Sequence, residues 1–134
     1  MSDYISPKKV MIVEDNQINQ KISDMIIKQL GHDTIQVFEG KKAIEIARKE
    51  KPDLVILDIK LLDISGIEIC QQMKKDPELQ KIPVIVVTSL SSDEDKKQIL
   101  AESGCDNYIA KPFFPDVFAQ TIGRYIHIKT IDWS

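Results

Sequence analysis

Five short apolar runs, each followed by a segment with helical spacing, constrain the fold of this 134-residue chain more than any other feature. The first, third and fourth runs are almost continuously aliphatic, which is typical of parallel strands buried on both faces. A strand-helix unit repeated five times predicts an open parallel sheet with helices on both sides, because five units are too few for an eightfold barrel. The predicted strands are residues 10–13, 34–37, 54–57, 84–87 and 108–110.

The segments between these strands carry apolar residues at the three- and four-residue intervals of amphipathic helices. The first helix is predicted to end at Gly31 and the fourth at Gly104, since glycine commonly follows a helix end. Ser91 and Glu94 have the spacing of a capping box at the start of the fourth helix. The helical faces are marked by Ile18, Ile22, Met25, Ile26 and Leu30; by Ala43, Ile44 and Ala47; by Ile67, Cys70 and Met73; and by Val117, Phe118, Ile122 and Tyr125.

Size and composition leave room for one domain and exclude several classes of function. The length falls within the usual domain range of roughly 100–150 residues. With 18 basic and 21 acidic residues, the net charge of −3 argues against nucleic-acid binding through bulk electrostatics. No apolar run reaches the roughly 20 residues of a membrane span, and the first residues lack a signal-peptide pattern. Two cysteines, Cys70 and Cys105, cannot form a disulfide framework and fit a reducing cytoplasm.

Chemically useful side chains stand directly after four of the five predicted strands. Glu14 and Asp15 follow the first strand, Asp58 the third, Thr88 the fourth and Lys111 the fifth. Ligands of open parallel sheets bind at the carboxyl ends of the strands, so we expect these side chains to converge there. The second predicted strand is followed by fewer side chains of chemical use.

Three carboxylates on one rim repel one another, by about 4 kcal/mol for a pair roughly 4 Å apart at an effective dielectric of about 20. Such a cluster either raises the pKa of a carboxyl group or binds a cation. Oxygen ligands at an open site favour Mg²⁺, which recruits phosphate. Together with a lysine and a hydroxyl group, the cluster suits phosphoryl transfer, in which one carboxylate can be the nucleophile.

This ordered set of motifs resembles the receiver domains of two-component response regulators. The resemblance runs from about residue 9 to about residue 124. Each motif alone is weak evidence for the family, so the resemblance rests on the whole ordered set of motifs. It implies a flavodoxin-like (βα)5 three-layer sandwich with strand order 2-1-3-4-5. The motifs are Glu14-Asp15, Asp58 in Leu-Asp-Ile-Lys, the stretch from Asp63 to Gly66, Thr88-Ser89 and Lys111-Pro112.

The resemblance also implies an acceptor and a metal site. Asp58 is the expected phosphate acceptor and one of the ligands of Mg²⁺. Asp15 is expected to bind the ion directly, Glu14 through water, and Lys60 through its main-chain carbonyl.

The remaining motif residues are expected to respond to the phosphoryl group. Thr88 and Lys111 are expected to bind its oxygens, and Tyr108 matches the position of a switch aromatic. The Lys111–Pro112 peptide bond is expected to be cis, which a tertiary amide permits at modest cost.

The sequence departs from the family pattern shortly after the acceptor, where a proline is frequent. Here the stretch is Lys60-Leu61-Leu62-Asp63, so the loop loses a rigid φ angle. We expect this to affect the dynamics of the loop rather than the chemistry. Ser89, a small residue, leaves access to the acceptor open and favours transfer.

A phosphorylation-controlled binding module is the first functional hypothesis. A sensor histidine kinase or a histidine phosphotransfer protein donates the phosphoryl group, and the altered surface binds a downstream protein effector. We expect a cytoplasmic monomer or weak dimer without membrane insertion. It is not an enzyme in the ordinary sense, although it assists its own phosphorylation and dephosphorylation.

Two other classes remain as alternatives. A Mg²⁺-dependent phosphatase of the haloacid dehalogenase type also uses an aspartyl nucleophile after a strand, but it typically has a second aspartate where Lys60 stands, and no cap domain fits. A nucleotide or flavin binder is opposed by the loop at residues 14–17, which lacks glycine and carries negative charge.

The chain length bears on how such a module would act. We expect one domain over residues 1–134, with a core of about 9–125 and no output domain. Within the family, the Glu-Asp-Asn start and the stretch through Gly104 and Cys105 most resemble single-domain cell-division regulators of the DivK type. They also resemble receivers fused to diguanylate cyclases, so a receiver excised from a longer protein is the alternative.

Overall fold

In the computed structural model, which describes residues 6–89 and 92–128, a five-stranded parallel sheet has the order β2-β1-β3-β4-β5. This order and the alternation of strands and helices confirm the predicted flavodoxin-like fold. Each predicted strand is present with one further residue at one end. The strands are β1 (Lys9–Val13), β2 (Asp33–Val37), β3 (Leu54–Asp58), β4 (Val84–Thr88) and β5 (Asn107–Ala110).

Within the part of the chain that the structure describes, five helices cover the two faces of the sheet. Residues of the second, third and fourth helices pack on one face, and those of the first and fifth pack on the other. A short 3-10 helix, Gly40–Lys42, leads directly into the second helix. The helices are α1 (Gln17–Gln29), α2 (Ala43–Glu50), α3 (Gly66–Lys75), α4 (Asp93–Ser103) and α5 (Pro115–Ile122).

The central strands are aliphatic because each contributes to two cores. In β3, Val55 and Leu57 face the α2–α4 side, whereas Leu54 and Ile56 face the α1–α5 side. Every residue of β3 and β4 is buried, which explains why an uninterrupted apolar run rather than alternation marks them. Within the described ranges, no helix is long and apolar enough to cross a membrane.

Both cysteines lie in the α2–α4 core as free, buried thiols. Burial, together with the nearby Cys105, raises the pKa of the Cys70 thiol to about 12. A thiol that is protonated at neutral pH is a poor nucleophile, so this pair contributes packing rather than chemistry.

The apolar face predicted for α1 is only partly the face that meets the sheet. Ile26 and Leu30 are buried, but Ile18, Ile22 and Met25 are 71%, 44% and 52% exposed. The first turns of α1 instead bury polar side chains, namely Gln20, Ser23 and Asp24. The amide of Gln20 donates to backbone carbonyl groups at the ends of β1 and β2, and the carboxylate of Asp24 accepts a hydrogen bond from the hydroxyl group of Thr34. Buried polar groups require such partners.

Helix ends also differ from the prediction. The cap of α4 is Ser92, whose hydroxyl oxygen accepts a hydrogen bond from the backbone N–H of Asp95; Ser91, predicted to take that role, lies outside the described residues. In the fifth helical segment Phe118 and Ile122 are buried, but Val117 is exposed. Tyr125 follows the end of α5, where its hydroxyl group donates to the backbone carbonyl of Asp106.

Gly66 allows α3 to begin directly against the end of β3. A Cβ atom at this residue would lie 2.2 Å from the carbonyl oxygen of Asp58 and 2.8 Å from the Cα of Ile59. The backbone N–H of Gly66 donates to the carbonyl of Ile59 at 2.9 Å. A side chain at residue 66 therefore collides with backbone that cannot rotate out of the way.

Substituting Gly66→Ala is expected to lower the free energy of unfolding by roughly 3 kcal/mol, because the loop after β3 must shift to accept the methyl group. Urea unfolding at pH 7 measures the change. Gly123→Ala is the control, since a Cβ there meets mainly the side chain of Ile128, at 3.1 Å, and the loss stays within about 1 kcal/mol. Equal losses for the two variants would contradict the argument.

Candidate functional site

The carboxyl ends of β1, β3 and β5 bring three predicted carboxylates and a predicted lysine together. Glu14, Asp15 and Asp58 each offer a carboxylate oxygen, and these oxygens all lie within 4.8 Å of one another. Lys111 Nζ lies 3.0 Å from Asp58 Oδ2 and 3.3 Å from Glu14 Oε1. Parallel register explains the convergence: Val13 pairs with Leu57, so the residues that follow them end up side by side.

Burial makes this cluster electrostatically demanding. Glu14 and Asp58 are buried, whereas Asp15 is half-buried. Burial and the charge of Asp58 raise the pKa of Glu14, although a hydrogen bond from the backbone N–H of Asn16 and the charge of Lys111 oppose the rise. Burial alone would lower the pKa of Lys111, but its hydrogen bond to Asp58 and the charge of Glu14 raise it overall. The lysine is thus the counter-ion of two buried carboxylates.

Two backbone amides fix the orientation of the carboxylates. The N–H of Lys60 donates to Asp58 Oδ1 at 3.2 Å, and the N–H of Leu62 donates to Asp15 Oδ2 at 2.7 Å. Both donors belong to the loop between β3 and α3. This loop therefore contacts the acceptor candidate and its neighbouring carboxylate at the same time, while the proposed metal contact of the Lys60 carbonyl stays a prediction.

Thr88 and Lys111 lie on adjacent strands at the same edge. Thr88 is buried at the end of β4 and pairs with Ala110, and its carbonyl accepts the backbone N–H of Lys111 at 2.7 Å. The Lys111–Pro112 peptide bond is cis. The structure therefore places the predicted hydroxyl on the strand next to that of Asp58 and the lysine one strand further.

Tyr108 is not part of the carboxylate cluster. It is half-buried against the α2–α4 core, and Lys96 Nζ of α4 lies 5.1 Å from the centre of its ring. A cation over an aromatic face is attracted by the ring quadrupole. Tyr108 therefore connects β5 to α4.

A cavity of about 370 Å³ opens beside Asp58. Its lining includes the charged side chains of Glu14, Asp58 and Lys111 and the small residue Ser89. Most of the other lining residues are apolar, among them Ile22 of α1, Ile12, Ile56, Val87 and Phe113, while Asn19 and Ser23 of α1 are polar. A reacting group can thus reach the Asp58 carboxylate along one side of α1.

Gln20 supports the site and was not predicted from the sequence. Its buried amide nitrogen donates to the carbonyl oxygens of Ile12, Glu14 and Val37, at 3.0, 3.2 and 3.1 Å. It therefore ties the ends of β1 and β2 to α1 and fixes the backbone that carries the first carboxylate. A pattern of apolar intervals gives no signal for such a residue, because its partners are backbone atoms of other elements.

Asp63 makes a second unpredicted contact, with the short 3-10 helix that follows β2. Its carboxylate oxygens accept hydrogen bonds from the backbone N–H groups of Gly40 and Lys41, at 3.1 and 2.9 Å. The hydrogen bonds from Lys41 and Gly40 lower the pKa of Asp63. The motif from Asp63 to Gly66 was recognised in the sequence, but this contact was not, since its donors are backbone groups.

The sequence of this chain matches the protein-family model of the response regulator receiver domain over residues 10–123. This chain belongs to that family. A relative, the polar-differentiation response regulator DivK of Brucella anthropi, is 42% identical over 120 residues, which cover 90% of this chain and 97% of the relative.

Receiver domains of known structure have the same fold. The BeF3-activated N-terminal receiver domain of RstA from Klebsiella pneumoniae superposes with a TM-score of 0.80, at 28% identity over 89% of this chain and 98% of that one. The receiver domain of a sensor histidine kinase from Pseudomonas aeruginosa gives 0.81 at 23% identity, covering 90% and 98%. That protein is described with a magnesium ion coordinated in its active-site cleft.

In this receiver domain, replacing Lys111 by methionine is expected to lower the free energy of unfolding at pH 7.5 by about 2 kcal/mol, because two buried carboxylates lose their counter-ion. The deficit should shrink as the pH falls towards 5. Without the lysine, the pKa of Glu14 in the folded protein rises further above its ordinary value of 4.5. As the pH falls through that raised pKa, Glu14 takes up a proton in the folded state and its uncompensated charge disappears.

Urea unfolding at several pH values in Mg²⁺-free buffer measures the effect. Lys97→Met, which removes an exposed lysine of α4, is the control and should have little effect. A deficit for Lys111→Met that is independent of pH would show that lost packing, not charge, is responsible.

Proposed function

We propose that this receiver domain is a phosphorylation-controlled switch in which Asp58 accepts a phosphoryl group from a phosphohistidine donor. The observation that carries the proposal is the buried Asp58 carboxylate, which has two carboxylates within 4.8 Å and a lysine Nζ at 3.0 Å. The cavity beside it gives a donor access. Family membership supports the same reading.

The donor set fits a hard divalent cation. Three carboxylates at an open site provide the oxygen ligands that Mg²⁺ prefers, with room for water molecules and a phosphate. We propose Glu14, Asp15, Asp58 and the carbonyl of Lys60 as the residues that hold it. When bound, Mg²⁺ neutralises charge on the phosphoryl oxygens.

The transfer itself needs a nucleophile and a positively charged side chain that can move with the phosphoryl group. A carboxylate oxygen of Asp58 forms a bond to phosphorus while the phosphorus–nitrogen bond of the donor breaks, and the electron pair returns to the imidazole ring, which takes a proton from solvent. Lys111 then follows the charge from the carboxylate to a phosphoryl oxygen. The hydroxyl group of Thr88 approaches from the neighbouring strand and binds a second oxygen.

The new charge is the signal. An aspartyl phosphate adds negative charge and acceptor oxygens at the end of β3. We propose that Thr88 and Tyr108 respond to it and alter the surface around α4 and β5, which shifts the population of two states. Such a shift acts as a full switch only if the phosphate favours one state by several kcal/mol.

The proposed partners follow from this chemistry. A sensor histidine kinase or a histidine phosphotransfer protein supplies the phosphoryl group in the cytoplasm, and a protein effector reads the switched surface of a monomer or weak dimer. The similarity to the polar-differentiation response regulator DivK of Brucella anthropi supports a role in polar differentiation. The domain is a switch rather than an enzyme that turns over an external substrate.

Asp58→Asn is expected to abolish labelling by acetyl phosphate in the presence of Mg²⁺, because an amide cannot act as the acceptor. The wild-type label should be sensitive to hydroxylamine, as an acyl phosphate is. Asp33→Asn, which changes an exposed aspartate at the opposite end of β2, is the control and should be labelled normally. Undiminished labelling of Asp58→Asn would refute the assignment.

Beryllofluoride with Mg²⁺ should shift the amide resonances of Thr88, Tyr108 and α4 in two-dimensional NMR spectra, because the added charge at Asp58 attracts groups of β4 and β5. Asp58→Asn should show none of these shifts, and Asp33→Asn should show all of them. Changes confined to the immediate neighbours of Asp58 would remove Tyr108 from the switch.

A further inference from the structure

The backbone amide of Leu62 makes a short hydrogen bond to the carboxylate of Asp15. Its N–H donates to Asp15 Oδ2 at 2.7 Å, whereas the side chain of Leu62 is 95% exposed. Residue 62 thus contributes to the site through its amide and not through its side chain. A hydrogen bond to an ionised acceptor is about twice as strong as one between neutral groups.

This contact depends on a feature of the sequence. None of residues 59–65 is proline, although the family often has a proline shortly after the acceptor. A proline at residue 62 would have no N–H to donate. The absence of proline therefore makes the loop less rigid but provides a backbone N–H donor at residue 62.

The rest of the loop holds this amide in place. The N–H of Leu61 donates to the carbonyl of Ile59 at 3.2 Å, and the N–H of Lys60 donates to Asp58 Oδ1. On the other side of Leu62, the Asp63 carboxylate accepts hydrogen bonds from the backbone of the 3-10 helix that follows β2. The amide of Leu62 therefore lies between two anchored points and needs no side-chain contact to be positioned.

A carboxylate can accept this bond and still bind a cation. It has two oxygens and about four lone-pair positions, of which the Leu62 amide occupies one. Groups that hydrogen-bond to a metal ligand fix its orientation, and their loss typically lowers metal affinity 10–100-fold. A free Asp15 carboxylate at a half-buried position would otherwise rotate between several orientations.

We propose that the Leu62 amide is a positioning group that orients Asp15 for its divalent cation, in place of the rigidity that a proline gives this loop elsewhere in the family. The inference deepens the proposed function and rests on it. It also revises the expectation that the missing proline affects loop dynamics alone.

The test compares Leu62→Pro with Leu62→Ala. Leu62→Pro removes the amide donor and restores a rigid φ angle, so the Kd for Mg²⁺, measured by isothermal titration calorimetry, is expected to rise tenfold or more. Leu62→Ala keeps the donor and removes only an exposed side chain, so its Kd should stay within about twofold of wild type. If rigidity were the only contribution of this residue, Leu62→Pro would bind Mg²⁺ as well as wild type or more tightly, and that result would overturn the inference.

Hydrogen exchange of the Leu62 amide provides a second test that does not depend on the folding of the proline variant. In the wild-type protein this exposed loop amide is expected to exchange at least tenfold more slowly than an unprotected amide. Asp15→Asn should accelerate it, because a neutral amide oxygen is a weaker acceptor. Exchange at the unprotected rate in wild type would contradict the contact.

The outcomes separate the two proposals. If wild type and Leu62→Ala fail to bind Mg²⁺ and to be labelled by acetyl phosphate, the proposed function is wrong and the positioning role falls with it. If both bind and are labelled, and Leu62→Pro binds equally well, only the role of Leu62 is wrong.

Discussion

The mutual repulsion of three carboxylates held within 4.8 Å is the interaction on which the rest of this structure depends. Two of them are buried, so neither water nor distance relieves the charge. Lys111 supplies one positive charge to the pair, and burial together with the charge of Asp58 raises the pKa of Glu14. This charge balance supports the proposal that the site binds a divalent cation, which together with the lysine would bind a phosphoryl group.

Holding such a cluster together requires a rigid surrounding, which the chain builds mainly from hydrogen bonds between side chains and backbone. Gln20 joins the ends of β1 and β2 to α1, and Asp63 joins the β3–α3 loop to the 3-10 helix that follows β2. Gly66 lets α3 begin in contact with the backbone of Asp58. These contacts involve the segments that follow β1, β2 and β3, so the positions of the carboxylates depend on several elements at this edge of the sheet.

The same requirement explains part of the first helix. Its early turns bury the polar side chains of Gln20, Ser23 and Asp24, whereas Ile18 and Met25 are exposed. An apolar residue in place of Gln20 would remove a hydrogen-bond donor from backbone carbonyl groups at the ends of β1 and β2, and a lost buried hydrogen bond costs more than an exposed isoleucine. At Gln20 the inner side of the helix therefore meets the needs of the strand ends rather than following the hydrophobic pattern.

The sequence by itself determined the strands, their parallel arrangement and the residues at their carboxyl ends, because burial on both faces and short strand-helix units leave a direct pattern in the order of residues. From this the convergence of Glu14, Asp15, Asp58 and Lys111 follows. Only the tertiary structure decided which face of α1 is buried, that Asp63 reaches Gly40, and that the amide of Leu62 reaches Asp15. Those contacts join backbone atoms to side chains far apart in the chain. Because every residue except proline carries the same backbone donor, no pattern of residue types predicts them.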